Sequence, residues 1–94
     1  MSNNDAKVIS VGELRDFAQY LNWLSNTMMD EFSKATARIA EVNDNWNDRE
    51  SERFMLEFVE SVKQINTLSD LMQAYSQYVN KKCDILDQYL NSSM

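Results

Sequence analysis

The chain has no proline, one glycine and no histidine. A β-sheet protein needs tight turns, and tight turns draw on the residues that are missing here. Their absence points to long uninterrupted helices. Without histidine, the commonest general base and the commonest metal ligand are both gone. The single cysteine rules out an intrachain disulfide. No apolar run reaches the roughly 20 residues that a membrane-spanning helix needs. Excess positive charge is lacking too. The net charge is −6, and residues 1–47 and 48–94 carry −3 each. Bulk nucleic-acid binding requires a basic footprint, and so does attachment to an anionic membrane surface. The opening MSNNDAKVIS has no basic region followed by an apolar block, so no cleavable signal peptide is expected.

What the sequence has in quantity is apolar and helix-forming residues. Hydrophobic residues make up 44% of 94, which sets the chain apart from a disordered acidic segment. Ser10-Val11-Gly12-Glu13 has the form of a capping box, with the serine hydroxyl and the glutamate carboxylate each satisfying a free backbone N–H. Beyond it, apolar residues recur at Leu14, Phe17, Leu21, Leu24, Met28, Phe32, Ala35, Ile39 and Val42, in steps of three and four. That is a helical stripe with one stutter between Met28 and Phe32. Tyr20, Trp23 and Met29 flank it. A second stripe runs through Phe54, Phe58, Val62, Ile65, Leu68, Met72, Tyr75, Val79, Cys83, Leu86 and Leu90, joined late by a companion stripe of Leu71, Tyr78, Ile85 and Tyr89.

Between the stripes lies Asn43-Asp44-Asn45-Trp46-Asn47-Asp48. Short polar side chains compete with the helix for the backbone, and Asn47 or Asp48 suits the N-cap of a second helix. The expected layout is a single domain over 1–94. It comprises a flexible tail at 1–9, helix at 10–43, a turn at 44–48 and helix at 49–91. So short a connection makes an antiparallel hairpin. A lone hairpin buries only one seam, and a chain this small is marginal even when compact. The reading is therefore all-α: a two-helix hairpin that dimerises, coiled-coil fashion, into a four-helix bundle. Tyr20, Trp23, Met29, Leu71, Tyr78, Ile85 and Tyr89 are the expected dimer or partner interface, as one continuous patch at the open end.

Trp46 at the turn has two readings. As a staple it packs onto the first turn of the following helix, near Glu50 or Phe54. As an anchor it meets a partner, since exposed tryptophan is a frequent hot-spot residue. Two long apolar helices around a tryptophan turn, with Phe54 eight residues on and no signal peptide, resemble the WXG family of small proteins associated with type VII secretion. The turn motif residues here are Trp46, Asn47, Asp48 and Phe54. Asp48 stands where the family has glycine, which suits an N-cap but not a close backbone approach. The family's C-terminal Tyr-x-x-x-Asp/Glu is missing: Tyr75 is followed at the fourth position by Val79, Tyr78 by Lys82 and Tyr89 by Ser93. The resemblance implies a homodimer or a pair with a related hairpin, no cofactor, and recognition by a secretion ATPase complex. It implies a protein that is cytoplasmic, secreted without a cleavable leader, or both.

Catalysis finds little support. Glu57 with Glu60, or Glu50 with Asp84, are carboxylate pairs of the kind that solvated helix faces produce, and no catalytic, cofactor or metal residue stands out. Cys83 falls on the apolar stripe and reads as a buried inert thiol; if it were exposed, Lys81 and Lys82 would make it more reactive. The function expected is non-enzymatic and rests on protein–protein contact. The alternative is a cytoplasmic helical adaptor or chaperone holding an amphipathic partner helix.

Overall fold

In a computed structural model the chain is two antiparallel helices. Residues 9–46 and 48–92 are described, Ser92 by its backbone alone. Helix α1 spans Val11–Asn45 and α2 spans Arg49–Ser92. At 1.5 Å per residue they are about 53 Å and 66 Å long. No strand occurs among the described residues. The expected capping box forms: Glu13 N–H donates to Ser10 Oγ at 3.1 Å, and Ser10 N–H donates to Glu13 Oε1 at 3.1 Å.

The turn is tighter than expected. Asn43 does not end α1, which continues through Asn45. The asparagine that was expected to break the helix instead bonds within it, Asn45 Nδ2 donating to the Glu41 carbonyl at 2.9 Å. Trp46 is the C-cap, its N–H donating to the Val42 carbonyl at 2.8 Å. Asp48 then caps α2: its Oδ1 accepts the Ser51 N–H at 2.7 Å and its carbonyl accepts the Glu52 N–H at 3.0 Å. A carboxylate here satisfies a first-turn donor and faces the positive end of the helix dipole. Asn47 lies outside the described residues, as do 1–8 of the expected tail.

The seam between the helices differs most from expectation. Ser25 Oγ donates to the Ser69 carbonyl at 3.2 Å and also meets the Ser69 hydroxyl; Ser76 Oγ donates to the Ala18 carbonyl at 2.7 Å; the Cys83 thiol points at the Val11 carbonyl, 3.8 Å away. As α1 advances by seven residues from Val11 to Ala18 to Ser25, its partner on α2 recedes by seven from Cys83 to Ser76 to Ser69. A side chain can reach the neighbouring helix's backbone only where the helices approach closely, and small residues at seven-residue spacing permit that approach. The buried residues are Ala18, Leu21, Ser25, Ser69, Ser76, Val79 and Cys83. All lie in the half that holds the free ends, which we call the open half (11–25 and 69–92). Among the described residues of the tip half (26–68), none is buried.

The apolar stripes therefore do not coincide with the seam. Phe17, Val42, Phe54, Leu68, Tyr75, Leu86 and Leu90 are exposed. They sit beside the seam, displaced by serines and alanines that an apolar count passes over. In the tip half the facing residues are large. Phe32 and Phe58 stack with centroids 6.1 Å apart, and Met55, Val62 and Ile65 are half-buried.

Candidate partner-binding surfaces

The two broad faces of the open half have opposite chemistry. On one, Arg15 reaches across to Asp84 at 2.9 Å and Asp87 at 2.7 Å, and Gln73 Nε2 donates to Ser25 Oγ at 3.1 Å and Asn26 Oδ1 at 3.5 Å. The bonds to Asp87 and Asp84 raise the Arg15 pKa above its ordinary value. Raised in this way, the guanidinium stays charged throughout the ordinary pH range. On the other face, Phe17 and Tyr75 meet edge to face with centroids 5.4 Å apart. Helical rotation puts Leu24 on the same side as Phe17, and Leu68 and Leu86 on the same side as Tyr75, with Leu71 and Tyr78 a step further round toward the outside. Leu68, Leu71, Tyr75, Tyr78 and Leu86 are all exposed, and Leu24 is half-buried.

The expected interface residues divide over this geometry. Tyr20 and Trp23 are exposed and touch each other at 5.9 Å on the outer side of α1. Leu71, Tyr78, Ile85 and Tyr89 run along the outer side of α2 and are exposed as well. The two sets do not form one patch by themselves, because they sit on opposite outer sides and only the Phe17–Tyr75 face connects them. Met29 does not belong to the patch. It borders a 450 Å³ recess with Phe32, Val62 and Asn66, on the side of the hairpin facing away from Tyr75.

A second apolar feature lies at the tip, on the same face as Tyr75. Ile39, Val42, Trp46, Phe54, Met55 and Phe58 line a cleft of about 650 Å³, edged by Arg38, Asp48 and Glu50. Trp46 is 68% exposed and Phe54 59%. Trp46 thus shares the cleft with Glu50 and Phe54, as a staple would, but packs little of its ring against them. The Arg53 guanidinium covers the outer face of Phe54 at 4.4 Å. The sequence reading singled out Trp46, Asp48 and Phe54 but missed Arg38, Ile39, Val42, Met55 and Phe58 as members of one site. Periodicity placed most of the apolar ones on the stripes; that side chains of the two stripes leave a cleft at the tip has no sequence signature.

The balance of surface is that of a molecule with faces still to cover. Four hydrophobic residues are buried, whereas seventeen large ones are exposed among the described residues. The chain exposes 7706 Å², against about 5,600 Å² for a compact protein of its mass. The excess of about 2,100 Å² exceeds the roughly 800 Å² that each partner buries in a standard stable interface. The radius of gyration, 20.7 Å, compares with about 12 Å for a globular chain of this length.

Cys83 is fully buried and pairs with nothing but the Val11 carbonyl. Among the described residues no group of three or more histidine, cysteine or acidic side chains is placed to hold a metal ion. No described helix is long and apolar enough to cross a membrane. The chain matches no family model, no curated protein and no solved structure.

Proposed function

We propose that the chain is a small, non-enzymatic helical-hairpin protein that works by protein–protein contact. In this reading it is a divergent relative of the WXG family and serves as cargo or carrier of a type VII secretion system. It pairs with itself or with a related hairpin into a four-helix bundle. It resides in the cytoplasm, is exported without a cleavable leader, or both, and a secretion ATPase complex is its recognition partner. The observation that carries the contact role is the Phe17–Tyr75 face. A continuous row of exposed aromatic and aliphatic side chains lies on one side of a seam that is itself small and polar. Water-exposed apolar patches of this extent mark interaction surfaces. Support for the family relation is the tryptophan turn between two long helices, with Asp48 in the glycine position acting as an N-cap.

Two measurements test this. Light scattering over a dilution series should return twice the 11.0 kDa chain mass; a stable monomer removes self-pairing. Comparing culture supernatants with and without the secretion ATPase should show the protein leaving only when the ATPase is intact. Finding it in the cells alone in both strains removes the secretion role and leaves the pairing untouched.

The second reading is a cytoplasmic adaptor that holds an amphipathic helix of another protein. The observation that favours it is the outer row Leu71, Tyr78 and Ile85 on α2, exposed at 50–65%, which lies beyond the face a single hairpin partner covers. Affinity capture from the native cell distinguishes the two. Recovery of the chain with itself alone rejects the adaptor.

A further inference from the structure

The tip cleft lies at the far end of the face that carries Phe17 and Tyr75, and its charges point to a definite ligand class. Most of its lining is apolar, from Ile39, Val42, Trp46, Phe54, Met55 and Phe58, with Ser51 among them. Its volume, about 650 Å³, falls within the range of small-molecule sites, roughly 300–1,000 Å³. Three charged residues stand at the edge, and two of them are already engaged. Asp48 accepts the Ser51 N–H at 2.7 Å, and Glu50 pairs with Arg53 at 2.8 Å. Arg38 alone of the three has no ion pair or hydrogen bond to a described residue. An apolar cleft bearing a guanidinium that no described carboxylate neutralises is complementary to a molecule with a long apolar body and a carboxylate head. Arginine's planar fork of donors matches a carboxylate in a bidentate manner.

We propose that the tip cleft binds an acyl-chain carboxylate, with the chain against Trp46, Phe54 and Phe58 and the head on Arg38. The inference rests on the proposed pairing leaving the tip uncovered, and it stands whether or not the protein is a secretion substrate. Binding would cover two of the most exposed aromatic rings in the molecule. It would also make the tip of the rod report ligand occupancy to whatever meets Trp46.

The test uses the full-length chain carrying Trp23→Phe, so that Trp46 is the only tryptophan, with dodecanoate as the probe, below its micelle-forming concentration. The expected result is a saturable blue shift of Trp46 emission. Dodecyltrimethylammonium, with the same chain and the opposite charge, should give none. Arg38→Gln should weaken dodecanoate at least about tenfold, the scale of a lost charge-assisted hydrogen bond, while circular dichroism shows the hairpin intact. No shift with dodecanoate overturns the proposal. So does equal binding of the cationic amphiphile, or an affinity indifferent to Arg38. A Trp46 emission that shifts with protein concentration instead of dodecanoate also overturns it, and assigns the cleft to a second copy of the chain.

Discussion

The open half and the tip half are built from the same two helices yet close in different ways. In the open half, Ala18, Ser25, Ser69, Ser76 and Cys83 let the helices approach until hydroxyls on one reach carbonyls on the other. Its interior is small and polar, and every described buried side-chain polar atom has a partner. In the tip half the facing side chains are large, Phe32, Ile39, Met55 and Phe58; no described residue is buried there, and a cleft opens beside them. Large side chains therefore do the opposite of what a simple burial rule expects. Where they face the seam they prevent closure, and where the seam does close they are pushed onto the outer face. The difference separates two roles. The open half supplies the rigid frame and the tip half supplies an adaptable recess.

The sharpest way to break this comparison is to enlarge a small seam residue. Ala18 is fully buried, and a leucine there has nowhere to go without parting the helices. Ala18→Leu should cost about 3 kcal/mol, near the top of the usual range for overpacking a close-packed interior. The same change at exposed Ala40 should stay within about 0.5 kcal/mol. Urea midpoints at one fixed protein concentration measure both, since self-association would otherwise shift the apparent stability. If Ala18→Leu were neutral, the close seam would be wrong.

In the tip half the expected sensitivity runs the other way, toward loss of bulk. Phe58 is half-buried and stacked on Phe32 at 6.1 Å. Phe58→Ala should cost about 2 kcal/mol, below the roughly 3–5 kcal/mol of a fully enclosed phenylalanine. Hydrogen exchange should show the loss confined to amides between 32 and 62, with the open half protected as before. Uniform loss of protection along the rod would mean that the halves are not separable.

Much of this was legible in the residues. The hairpin, the capping box at Ser10 and Glu13, and the cap ahead of α2 follow from local chemistry, which acts over three or four residues. The seam did not follow, because counting apolar residues gives Phe17, Leu68 and Tyr75 the weight and Ser25, Ser69 and Ser76 none. The overlooked signal was the seven-residue recurrence of small residues, Ala18 to Ser25 on one helix and Ser69 to Ser76 to Cys83 on the other. Serine is informative here because its size, more than its polarity, sets the helix separation. The tip cleft was less legible still. It depends on how side chains of the two helices meet, a property of pairs of residues well apart in the chain.

A smaller effect sharpens the comparison by setting a seam serine of the open half against a surface serine of the tip half. Ser76 and Ser61 both donate to a helix carbonyl, but Ser76 donates across the seam to Ala18 at 2.7 Å while Ser61 donates within α2 to Glu57 at 3.0 Å. Ser76→Ala should cost about 1 kcal/mol, the net worth of a buried interhelical hydrogen bond. Ser61→Ala should be neutral or slightly stabilising, because alanine is the better helix former and the bond it removes is local. Equal costs would show that the seam bond adds nothing to the spacing.

The smallest expected effect decides what Trp46 is for. A staple holds the turn by burying its ring, so its removal should loosen the chain. Trp46 keeps 68% of its surface in water, and its structural bond is a backbone one, from its N–H to the Val42 carbonyl, which alanine makes equally well. Trp46→Ala should therefore change stability by less than about 0.5 kcal/mol, with the urea slope unaltered. A loss above about 1 kcal/mol would return Trp46 to the staple role and make the tip part of the frame. If stability holds while partner or amphiphile binding is lost, the side chain serves recognition. The cap it forms is then a property of the backbone, and the choice of tryptophan at that position has its reason outside the fold.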